Sequence, residues 1–155
     1  MEEKRDCHNA VIGTACEVSY NQAAQATGHV DLVGPMESPI FSNPWNLYRA
    51  LLALGYWKRN LTLADLLAGD CDPGKTIVLL HNPKDPVFSQ HWVVWDGKNP
   101  AGDHRLLWGD SAAARVISPG RLKDYFLKGW PNCAFEVYRA SIWRIVYEKI
   151  KSIFW

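Results

Sequence analysis

The chain has 155 residues, a length that suits one domain. Nearly half of them (48%) are apolar and 21% are charged, which excludes a disordered tail and allows an ordinary buried core. Seventeen lysines and arginines against sixteen acids leave a net charge of +1, so the charge balance gives no reason to expect a nucleic-acid partner.

No run approaches the roughly 18 apolar residues that a membrane span needs. The charged start, Met1 to Asp6, is followed by no compact apolar stretch and lacks the form of a signal peptide. The expected setting is the cytoplasm, or export by a specialised secretion system. Cys7, Cys16, Cys71 and Cys133 are scattered and form no Cys-x-x-Cys pair, so free thiols are expected, with no metal and no cofactor.

From about Ala10 to Thr27 the residues favour a helix, which Gly28 would end. Positions 29–44 carry Gly34, Pro35, Pro39 and Pro44 and read as loop. A second helix is predicted over Trp45 to Leu54, and a short third over Leu63 to Leu67 with Thr62 as its cap. Asp72-Pro73-Gly74 marks a turn. The runs Lys75 to His81, His91 to Asp96 and Arg105 to Trp108 then read as strands, the last two joined as a hairpin. Ser118-Pro119 opens a helix reaching Leu127, and Ala134 to Arg139 alternates like a strand. Helices followed by an antiparallel sheet define the α+β class. One domain over 1–140 is expected, with an amphipathic helix over 141–155. That helix repeats Ile142, Ile145, Val146, Ile150, Ile153 and Phe154 as an apolar stripe, with Arg144, Lys149 and Lys151 at its polar positions. The stripe is expected to dock on the domain. The alternative is peripheral membrane or partner contact, towards which Trp143, Phe154 and Trp155 point.

Three residues could carry chemistry. Cys16 follows the flexible Gly13-Thr14-Ala15; if a helix starts there, its N-terminal N–H groups would stabilise the nucleophilic thiolate. The bland account makes Cys16 a small residue packed within one long helix. His91 opens a strand, from which a general base can be aimed, and Asp110 closes the next one. Hairpin pairing would bring His91 and Asp110 together at its open end, where a carboxylate can orient an imidazole. Taken singly, these two are also ordinary boundary and turn residues. Cys7 also precedes a helix, but Cys16 is preferred, because a start at Cys7 leaves Gly13 inside a long helix. Cys71, between two aspartates, and Cys133 read as structural. His29, His81 and His104 read as polar residues of loops and strand ends. Gly69 to Thr76 matches the phosphate-loop pattern, yet it should follow a strand and open a helix, and here the order is reversed.

The order of these elements resembles the papain-like cysteine peptidase superfamily: a cysteine leading an N-terminal helix, then His-Trp-Val-Val on one strand and Gly-Asp ending the next. Within it, the chain is most similar to the bacteriocin leader peptidases and their stand-alone relatives, from about Asn9 to Arg139. The resemblance implies a papain-like fold, N-terminal helices packed on a small antiparallel β-sheet, with Cys16 as nucleophile, His91 as base and Asp110 as orienting acid. The family has a glutamine about six residues before the cysteine as oxyanion donor; here Asn9 stands nearest that place. The glycine usual after the cysteine is Glu17, and the proline usual after the aspartate is Ser111. The expected function is a cysteine-dependent hydrolase that opens a peptide or amide bond of a peptide or protein substrate through an acyl-enzyme. The alternatives are a non-enzymatic peptide- or protein-binding module on the same fold, or a deamidase or acyltransferase effector with the same triad.

Overall fold

Two helices occupy the N-terminal segment where one was expected: α1 (Cys7–Cys16) and α2 (Tyr20–Thr27). The computed structural model describes residues 7–28, 44–81, 90–107, 114–126 and 133–154. The loop expected over 29–44, except Pro44, lies outside these residues, as does Asp110. The break between α1 and α2 has a defined chemistry. Val18 N–H donates to the Gly13 carbonyl (3.1 Å), Glu17 N–H points at the Thr14 carbonyl (3.4 Å), and Glu17 is left-handed with φ 55°. This pair of bonds is the Schellman ending, which satisfies the last carbonyls of a helix. Gly13 is no turn residue: a Cβ there would stand 3.3 Å from the Val18 carbonyl oxygen, so its small size admits the returning chain. Ser19 then caps α2, and its side chain and that of Gln22 exchange bonds with each other's backbone.

The remaining helices are α3 (Pro44–Ala53), α4 (Leu63–Ala68), α5 (Pro119–Tyr125) and α6 (Ile142–Phe154). The strands are β1 (Tyr56–Asn60), β2 (Thr76–His81), β3 (Gln90–Lys98), β4 (His104–Leu107), β5 (Ala114–Ile117) and β6 (Ala134–Arg139). They form one antiparallel sheet in the order β1-β6-β2-β3-β4-β5. The described residues are therefore α+β. Thr76 opens β2 after the 72–74 turn, so the segment resembling a phosphate loop leads into a strand.

Alternation along the central strands builds two apolar layers. On one face Ile77, Leu79, Trp92, Val94 and Phe135 pack against Val11, Ile12 and Ala15 of α1 and Leu47 and Leu51 of α3. On the other, Val78, Leu80, Val93, Trp95 and Leu106 meet Leu66 of α4 and Leu122 of α5. His104, expected at a strand end or turn, opens β4 and is buried there, where its Nδ1 accepts from the Trp95 indole at 2.8 Å.

The expectation for the last helix is corrected. No residue of α6 is buried, and of its apolar stripe Ile142, Val146, Ile150, Ile153 and Phe154 are exposed while Ile145 is half-buried. Its polar side turns inward instead: Glu148, Lys151 and Ser152 line a cleft of about 500 Å3 with Trp45, Trp57 and Lys58.

Candidate functional site

α1 lies along β3, and its direction decides which thiol meets which end of the sheet. The Cys16 end stands over the start of β2. Lys75 Nζ donates to the Ala15 carbonyl (3.0 Å) and lies 3.3 Å from the Glu17 carboxylate, while Tyr56 OH donates to the Cys16 carbonyl (3.1 Å). The Cys7 end lies towards the start of β3, since the ring of His8 stands 6.3 Å from that of Trp92. His91, next to Trp92, pairs with Leu80 near the far end of β2. The four residue steps from Thr76 to Leu80 span roughly 13 Å of strand.

The structure therefore does not bring Cys16 and His91 together. Cys16 ends α1 rather than starting a helix, at the pole where the helix dipole disfavours a negative charge. It is buried, and burial pushes its thiol up to about 12, with Lys75 opposing only in part. At the other end of α1 stands Cys7, the first described residue, followed by the buried pair His8 and Asn9. Asn9 is committed elsewhere: its Nδ2 donates to Tyr20 OH (3.3 Å), and its Oδ1 accepts from Thr27 Oγ1. Its amide joins α1 to α2. Asp110 falls outside the described residues.

His91 has the strand parity of Val93 and Trp95, not of Trp92 and Val94, and faces the layer of α5. Burial, joined by the charge of Arg115 on β5, pushes its imidazole from 6.5 down to about 4. The unfolded chain takes up this proton near pH 6.5 and the folded chain only near pH 4. Between those values the unfolded state binds more protons, so this share of stability is complete above about 6.5 and is lost as pH falls towards 4. The difference amounts to roughly 3 kcal/mol. Urea unfolding at pH 7 and pH 4.5 should show a larger acid loss in the wild type than in His91→Asn. Equal losses would contradict a buried neutral ring.

Cys71 is pushed up by burial first, and Cys133 is buried at the start of β6. Among the described residues, no three His, Cys, Asp or Glu side chains gather as metal ligands would. Neither a protein-family model nor a curated protein matches the sequence.

The signal that could have favoured Cys7 is present in the sequence. Gly13 lies four residues before Glu17, and Ser19-x-x-Gln22 is a capping box, so one helix ends and another begins after Cys16.

Proposed function

We propose that the chain is a cysteine-dependent hydrolase of peptide or amide bonds, related to the papain-like peptidases, with Cys7 in the place expected for Cys16. One observation carries the reading: Cys7 stands at the N-terminal end of the described α1, at the end of the sheet where β3 begins with Gln90 and His91. A helix N-terminal end offers a thiolate the positive end of the dipole, which is absent at Cys16.

In this reading the imidazole of His91 takes the Cys7 proton, and the sulfur attacks the carbonyl carbon. The N–H groups of the first turn of α1 face the oxyanion. The imidazolium then protonates the leaving amine, and water releases the acyl group from sulfur. A ring that titrates at about 4 accepts a proton reluctantly, so the reading needs the carboxylate of Asp110 to hold the imidazolium. Deamidation or acyl transfer would use the same steps with a different leaving group or acceptor. The compartment belongs to the same reading: cytoplasmic, or reached by specialised export.

Two observations favour a second reading, the non-enzymatic binding module. Cys7 is only 4% exposed, and the strand parity of His91 is that of the face opposite α1. The pH dependence of alkylation separates the two. The hydrolase reading expects Cys7 to react with iodoacetamide with a midpoint well below the ordinary thiol value of about 8.5, reverting towards it in His91→Ala. A midpoint at or above that value, unmoved by His91→Ala, selects the binding module.

A further inference from the structure

The outer face of α6 is the largest apolar feature that the body of the protein leaves uncovered among the described residues. Trp143 is 79% exposed, Phe154 77%, Ile153 74% and Ile142 70%, and Val146, Tyr147 and Ile150 continue the same face. A helix that merely completed the core would turn these side chains inward. Here Glu148, with its side chain 12% exposed, Lys151 and Ser152 line the cleft against α3 and β1.

The charges around this face choose its occupant. Lys149 lies along one border of the apolar arc, and Arg144 and Lys151 along the other, by the 3.6-residue period. The helix's sole acid, Glu148, is turned to the cleft and held by Arg144 at 3.3 Å. A broad apolar arc carrying tryptophan, tyrosine and phenylalanine between borders of cations fits a surface with apolar depth and negative headgroups. A second copy of the chain would bring the same cations against this face. No described helix is long and apolar enough to cross a bilayer.

We propose that α6 is an interfacial helix that seats this protein on an anionic lipid bilayer, its apolar arc in the acyl boundary and Arg144 and Lys149 at the phosphates. The proposal is independent of the hydrolase reading, because α6 contributes none of its residues.

Flotation of the full chain with vesicles tests it, using phosphatidylglycerol mixed with phosphatidylcholine and, separately, phosphatidylcholine alone. The expected result is binding at least tenfold stronger to the anionic vesicles and weakened by salt. Ile150→Asp should abolish it, and Lys149→Glu should weaken it on the order of tenfold. Neither residue is buried, so both variants should keep the wild-type melting temperature; if Ile150→Asp fails to fold, Lys149→Glu alone decides. Absence of flotation, flotation unaffected by these variants, or a wild-type dimer that Ile150→Asp disperses without any lipid binding would each overturn the proposal.

Discussion

Trp92→Ala will destabilise the folded chain by roughly 3–5 kcal/mol, the range for removing a large buried aromatic. Trp92 is fully buried on β3, edge-to-face with Phe135 of β6 at 5.9 Å and beside His8 of α1. Its indole thus joins two strands and the first turn of α1, and neighbours fixed in separate elements cannot collapse into the space it leaves. Equilibrium denaturation of wild type and variant measures the loss. Because the Cys7 end of α1 rests on this contact, the variant should also disturb the thiol chemistry at pH 7, where the fold persists. A loss below about 1 kcal/mol would mean that α1 is not anchored at this point.

On the proposed hydrolase reading, Cys7→Ala abolishes hydrolysis, lowering turnover on the order of 10⁴-fold or more, since a nucleophile removed from a covalent mechanism has no substitute. Cys16→Ala will leave turnover within a fewfold of wild type. Its cost falls on stability, about 1 kcal/mol for a small buried group at the end of α1. The contrast follows from the two ends of one helix. At Cys7 a negative charge meets N–H groups; at Cys16 it would meet carbonyls, the desolvating core and a thiol that titrates at about 12. Melting temperatures of both variants separate lost chemistry from lost folding.

Local signals account for what the sequence revealed. β2, β3 and β6 were legible as apolar runs of strand length, and α4 and α5 through the caps Thr62 and Ser118. β1 and β5 were not. Both are edge strands, and Tyr-Trp-Lys-Arg-Asn and Ala-Arg-Val-Ile show no alternation because no residue of either strand is fully buried. The end of α1 was misjudged because its left-handed position holds Glu17 instead of the usual glycine, at a cost of about 1 kcal/mol. The nearby Gly13, whose role is close approach, drew the turn assignment in its place. That shift of a few residues moved the helix start from Cys7 to Cys16 and reversed the polarity of the site.

For the last helix, amphipathicity identified two faces of α6 without saying which meets the body. The answer lies in partners distant in sequence, Trp45, Trp57 and Lys58, which no local pattern reveals. His91 poses the same kind of problem. Trp92-Val93-Val94-Trp95 is apolar on both faces, so the side on which the imidazole leaves the strand depends on helices elsewhere in the chain.

Covalent capture tests the central claim most directly. The full chain would be treated at pH 7 with a peptide carrying an electrophilic carbonyl, and the modified cysteine located by mass spectrometry. The account predicts a single adduct on Cys7, lost in Cys7→Ala, diminished in His91→Ala and retained in Cys16→Ala. An adduct on Cys16, or Cys7 reacting no faster than an ordinary thiol, would contradict it.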